Sequence, residues 1–410
     1  NQNSSKFKHR IACFTVLTAI LMSANASAEW SIKTLDDLGG ANSVASAIND
    51  LGQVTGSAQF PGNIITHAFI TGPNGVNTFD LGSLGTGNSG GADINAYGQV
   101  AGSFMAADGG HPMITGPNGV GMRDLGTLGG LDAWATGIND LGRVVGTSYT
   151  ADGYAHAFIT GPDGVGMIDL GTLEGGYTSD AADINNLGQV VGTSAINTYG
   201  FYHAFITGPD GVGMTDIGTL PGFWGSLGRG LNASGNVIGD LILPTTPEGD
   251  YRQAFVTGPN GIGMTTLGTL GGKYAVPTDI NDAGQIVGVS TLESGVQHSF
   301  LFIDDGMVDL SILDVVVSAG WTNIFAVGIN NNGQIVGYGN LSDDPSHQHP
   351  FLLSFTPDTV FNPNPIFRPE LPDIPIPPPP VPEPQTYAML LAGLGLLGFM
   401  VQRRKKRNLT

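Results

Sequence analysis

Between residues 30 and 356 apolar and polar positions alternate over short runs, and Gly, Pro, Asn or Asp break each run. Alternation of this kind suits pleated strands joined by tight turns. The runs fall into a recurring unit marked by Ile-Asn with Gly three residues later. The marker stands at Ile48-Asn49, Ile94-Asn95, Ile138-Asn139, Ile184-Asn185, Ile280-Asn281 and Ile329-Asn330, and Leu231-Asn232 fills the remaining place. Successive asparagines are 46, 44, 46, 47, 49 and 49 residues apart, so the unit occurs seven times.

Each unit carries four strand signals. The first ends at Ile-Asn, and the second follows the turn glycine, as in Gln189-Val190-Val191-Gly192. The third is His-Ala-Phe-Ile-Thr, as at His203 to Thr207, and the fourth is of the form Gly166 to Gly171. Turns such as Gly208-Pro209-Asp210-Gly211 place Asp where its side chain caps the turn and Gly where positive φ is required. Four strands at this period predict a propeller blade. The chain ends favour a ring over a linear solenoid. Trp30 to Leu38 reads as a surplus fourth strand, while His349 to Phe355 reads as a third strand with no fourth after it. The fold class expected is all-β: a seven-bladed β-propeller of four-stranded blades spanning 29–356, closed by its N-terminal strand. A solenoid would need polar caps that are not visible.

Composition agrees with this pattern. With 64 Gly, 25 Pro and 41 % hydrophobic residues, the chain is too apolar for disorder and too rich in turns for helices. Between Arg10 and Arg403 only seven basic residues face all 34 acidic ones, which excludes nucleic acid as a partner and disfavours anionic lipid. The single cysteine, Cys13, lies at the start of an N-terminal apolar run, so no disulfide is available to the body.

Both ends read as addresses. Basic residues from Lys6 to Arg10, apolar Ile11 to Met22 and then Ala26-Ser27-Ala28 have the layout of a secretory signal peptide (1–28). Cleavage is expected after Ala28, following Sec-type export. Prolines crowd residues 357–380 and predict an extended linker. The segment 381–410 then runs Val381-Pro382-Glu383-Pro384, an apolar span from Tyr387 to Val401, and the cluster Arg403, Arg404, Lys405, Lys406 and Arg407. This is a short membrane helix whose basic end stays in the cytoplasm. The three-part order resembles the PEP-CTERM tails recognised by exosortase-type transpeptidases. The resemblance implies transient anchoring in the inner membrane, cutting near Pro-Glu-Pro, and release to the cell surface or exterior of hosts that make extracellular polysaccharide.

The third-strand triplet is intact at His67-Ala68-Phe69, His156-Ala157-Phe158 and His203-Ala204-Phe205. It drifts to His111-Pro112-Met113, Gln253-Ala254-Phe255, His298-Ser299-Phe300 and His349-Pro350-Phe351. In this the body resembles the HAF-type extracellular repeat family, a likeness that implies export and repetition and carries no settled activity.

Chemistry is sparse. One histidine per unit reads as a structural hydrogen bonder tying the third strand to a neighbouring turn, since equivalent blade positions are too far apart to share zinc. The repeated Asn and Asp read as turn caps. No metal or other cofactor is expected. Within 29–356 His347 alone lies outside the repeat position, which argues against a serine triad. Adjacent acids at Asp36-Asp37, Asp304-Asp305 and Asp343-Asp344 are weak glycosidase candidates. No catalytic residue is assigned. Symmetry is broken instead by two loop classes, which should emerge at one face: the loop between second and third strands, and the loop between units. Trp134, Tyr177, Trp224, Tyr274 and Trp321 mark the second class. These are the candidate ligand-binding residues, because exposed aromatic rings stack on sugars; the alternative is packing between blades. The expected role is a non-catalytic binding or structural module of the cell surface or exopolysaccharide matrix. A glycan hydrolase and a protein-binding coat component are the competing readings.

Overall fold

The computed structural model describes residues 29–62, 64–85, 87–196, 201–243 and 251–356. The leader expected at 1–28, the linker at 357–380 and the tail at 381–410 lie outside them.

Among the described residues, 28 strands form seven four-stranded antiparallel sheets. Six sheets take four consecutive strands, at residues 43–82, 89–124, 129–171, 179–218, 225–268 and 275–309. These are blades 1 to 6. Blade 7 takes three strands from 321–356 and its fourth from the N-terminal strand Glu29–Thr34. That strand runs antiparallel to Asp344–Thr356, pairing Glu29 with Thr356 and Thr34 with Phe351. The expected closure is present. The only α-helix among the described residues, Asp314–Ser318, precedes blade 7, and no described helix is long and apolar enough to cross a membrane.

The repeat motif explains the core. Phe69, Phe158, Phe205, Phe255, Phe300 and Phe351 of the third strands are fully buried, with Met113 in the same place in blade 2. Each lies opposite a second-strand glycine. A Cβ on Gly192 would stand 2.0 Å from the Asp180 carbonyl oxygen and 2.9 Å from the Phe205 ring, so nothing larger fits there. The first strand bulges at this level in blade 4, between Ala181 and Asp183, which drives its backbone against that glycine. Phe205 packs with Val145, Ala157 and Ile159 of blade 3, so the core is a series of seams between neighbouring blades.

The repeated asparagines do more than cap turns. Asn139 Oδ1 accepts from the backbone N–H of Leu141 and Arg143, and its Nδ2 donates to the Asn185 carbonyl 3.1 Å away in the next blade. The same blade-to-blade bond recurs at every junction, from Asn49 to Asn95 and finally from Asn330 back to Asn49 at 2.9 Å. Seven side chains thus form one closed hydrogen-bonded ring around the axis. Asn139→Ala removes one buried and two part-buried bonds and strands their partners, so a loss of about 2–4 kcal/mol is expected in denaturant unfolding. A loss below about 1 kcal/mol would show that the ring does not hold the blades together.

Candidate functional site on the loop face

Strand direction sorts the loops into two faces. The turns from first to second and from third to fourth strands lie together, since Asn74 N–H donates to Leu51 O and Gly75 N–H to Gly52 O. The asparagine ring sits at this turn face. The loops from second to third strands and those between blades emerge at the opposite, loop face, as the strand order required.

At the turn face the channel holds a cavity of about 240 Å³ lined by the first-strand ends. Asp93 and Asp279 of blades 2 and 6 line it, Asp183 of blade 4 stands directly before the lining residue Ile184, and each of the three accepts the backbone N–H of its own next residue and of the following blade. The next blade offers Gly137, Gly230 or Gly328 at the equivalent place, and a Cβ on Gly230 or Gly328 would stand 3.7 Å from the Asp183 or Asp279 carboxyl. Burial pushes Asp93 up to about 7, helped by the like charge of Asp183, and burial raises Asp183 to about 6. Asp279 is raised well above its ordinary value, chiefly by burial. No group of three or more His, Cys, Asp or Glu among the described residues is placed to hold a metal ion.

The repeat histidines are structural ties, but their main partner is a strand residue and not a neighbouring turn. His67, His111, His156, His203 and His298 each bond through Nδ1 to the fourth-strand Asp80, Asp124, Asp169, Asp216 or Asp309, at 2.7–3.0 Å. In blades 1 to 4 the same Asp also caps the glycine two residues on. Blade 5 lacks both partners together, with Gln253 and Thr266 in their places. It carries instead a fully buried Asp240 held by Arg229 at 2.7 Å and Arg252 at 2.5 Å. In blade 7 the closing strand offers Thr34 opposite Phe351, and His349 turns to Asp344 at 3.1 Å. Asp344 is lowered by its hydrogen bonds to His347 and His349.

The predicted aromatics divide. Trp134 (41 % exposed), Tyr177 (36 %) and Trp224 (52 %) are open to solvent on the loop face. Tyr274 is half-buried, its carbonyl accepting the Thr291 N–H at 2.9 Å. Trp321 is a correction: it is 5 % exposed and packs edge-on against Phe351 at 5.4 Å inside blade 7, so it belongs to the core.

Each exposed aromatic has a partner that the inter-unit loops alone did not reveal. Trp134 meets Tyr149 at 6.2 Å, Tyr177 meets Tyr154 at 6.0 Å, and Trp224 meets Phe201 at 6.4 Å, all edge-to-face. Tyr149, Tyr154 and Phe201 stand at 37 %, 50 % and 39 % exposure. Tyr154 and Phe201 hold one repeat position, directly before the third strand, and Tyr177 and Trp224 hold another, eight residues before the ring asparagine. The last two pairs are therefore one device repeated at the 3/4 and 4/5 junctions. At the 5/6 junction the same two positions hold Tyr251 and Lys273, whose Nζ lies 4.8 Å from the Tyr251 ring centre. Six exposed rings form a crescent across blades 3 to 5. At its blade 3 end a cavity of about 520 Å³ opens between blades 1, 2 and 3, with Trp134 and Tyr149 in its wall and Asn88 and Asp132 among its polar groups.

This architecture defines the class: a seven-bladed propeller closed by its N-terminal strand. An oligogalacturonate lyase from Vibrio parahaemolyticus is similar at a TM-score of 0.52 and 9 % identity, over 80 % of this chain and 97 % of that one. The β-propeller domain of the Trilobed protease from Pyrococcus furiosus is similar at 0.50 and 8 %, over 76 % and 95 %. TolB from Acinetobacter baumannii reaches 0.43 at 11 % identity over 74 % of this chain, which spans 64 % of TolB's length. Such identities show fold alone. No curated sequence matches the chain. Within the class, residues 380–405 match the PEP-CTERM protein-sorting motif. The protein is thus exported, held transiently at a membrane, and processed by an exosortase.

Proposed function

We propose that this protein is a non-catalytic binding module of the cell surface or exopolysaccharide matrix, and that it holds glycan on its loop face. The observation that carries the reading is the crescent of paired, exposed aromatics. Ring faces left open to solvent suit the apolar C–H faces of sugars, and edge-to-face pairing holds each ring in place before a ligand arrives. Within this reading residues 1–28 are a leader, 29–356 the binding body, 357–380 a spacer and 381–410 the tail removed at sorting. The repeated His-Ala-Phe triplets support grouping the body with HAF-type extracellular repeats.

A glycan array on the protein tests the reading, with Trp134→Ala, Tyr177→Ala and Trp224→Ala compared with the parent. Each variant is expected to lose about tenfold in affinity with an unchanged melting temperature, because the rings it removes are exposed. Trp321→Ala should show the reverse, losing about 3–5 kcal/mol of stability through the blade 7 core. Absence of glycan binding, or aromatic variants that only melt earlier, would refute the proposal.

A further inference from the structure

We propose, resting on the glycan reading above, that the ligand is a neutral polysaccharide lying as an extended chain along the crescent, with one sugar seated in the cavity beside Trp134. Charge distribution gives the neutrality. Among the described residues, the basic side chains of blades 1 to 4 and the closing strand are Lys33, Arg123 and Arg143. Lys33 bonds the Asn74 carbonyl, Arg123 the Asp163 carbonyl and Arg143 the Asp210 carboxylate, so all three are committed to turns of the opposite face. The segments on and beside the crescent hold Asp108, Asp132, Asp152 and Glu174 instead. At the blade 5 end Arg229 and Arg252 are both paired with buried Asp240 and Lys273 lies over the Tyr251 ring, so a polyanion would approach the carboxylates of blades 1 to 4 with no cation there to meet it, whereas a neutral hydroxylated chain finds hydrogen-bond acceptors.

The extended pose follows from repetition. Tyr154–Tyr177 and Phe201–Trp224 use the same two repeat positions at consecutive junctions, so a polymer of like units meets like platforms as it passes from blade 3 to blade 5. The blade 3 end differs from these open platforms. Its cavity volume lies in the usual range for small-molecule sites, about 300–1,000 Å³, and it combines the Trp134–Tyr149 wall with groups already fixed by backbone bonds. Asp132 Oδ1 accepts the Gly110 N–H at 2.8 Å and Asn88 Oδ1 accepts the Thr66 N–H at 3.0 Å, which holds both side chains in position. One sugar is gripped there, and further sugars stack along the crescent.

Calorimetry with cello-, manno- and xylo-oligosaccharides of about two to six rings, and alginate as the anionic comparator, tests this. In whichever neutral series binds, affinity is expected to rise about tenfold from the shortest to the longest member. Trp224→Ala should abolish that rise while leaving short-chain binding intact, and Trp134→Ala should weaken short and long chains alike. Length-independent affinity, identical behaviour of the two variants, or tighter binding of alginate would overturn this inference while the glycan reading stood. Failure of every saccharide to bind would overturn both.

Discussion

Phe205→Ala is expected to cost about 3–5 kcal/mol in unfolding free energy, among the largest effects of any single substitution in the ring. The side chain is fully buried and closes the seam between blades 3 and 4. The bulged first strand and Gly192 are already in contact with it or with each other, so the site has little freedom to collapse around a cavity. Phe205→Met should cost less than about 1.5 kcal/mol, because Met113 does the same work in blade 2. Urea unfolding of both variants checks this, and similar costs for Ala and Met would mean that seam volume does not set stability.

The second large effect is on pH. Asp93, Asp183 and Asp279 hold protons in the folded ring that the unfolded chain has already released, since their carboxyls are raised there, two of them to about 7 and about 6. The folded state therefore binds more protons, and stability must fall as pH rises through the folded values. It is fully present below the ordinary carboxyl value near 3.8 and is lost progressively from there through the folded values of about 6 and about 7. Asp93 and Asp183 alone give an expected loss of about 4 kcal/mol from pH 5 to pH 8, seen as a falling melting temperature, and Asp279 adds in the same direction. The double variant Asp93→Asn with Asp183→Asn should flatten the profile. A parent profile that is flat, or that rises toward pH 8, would contradict the placement of these groups.

Much of the ring was legible because its determinants are local and repeat. Ile-Asn, the turn glycine and the His-Ala-Phe strand each recur once per blade, and the surplus strand near Trp30 matches the strand missing after Phe355. The asparagine ring was not legible, since turn capping and blade-to-blade bonding call for the same residue at the same position. The channel acids were hidden for a related reason. Asp93, Asp183 and Asp279 look like ordinary strand-end polar residues until closure places alternate blades around one axis. The site was half visible. Trp134, Tyr177 and Trp224 stood out by type, but Tyr149, Tyr154 and Phe201 lie in the companion loop class, and aligning the third-strand starts would have exposed Tyr154 and Phe201 as one position. Trp321 misled because blade 7 is entered differently from the other blades, through the helix Asp314–Ser318 shortly before the strand Trp321–Ile329. That change carries its ring inward, against Phe351.

The strand Glu29–Thr34 also sets the order of events during export. It is the first part of the described ring to be synthesised, yet its partner Asp344–Thr356 is the last, so the seventh blade stays incomplete until both have crossed. A contact of such long sequence separation forms slowly, and a precursor held near the membrane by its unprocessed tail has time to form it before release. Glu29 and Thr356 pair at the turn face, so the chain enters and leaves the ring on the side away from the aromatic crescent.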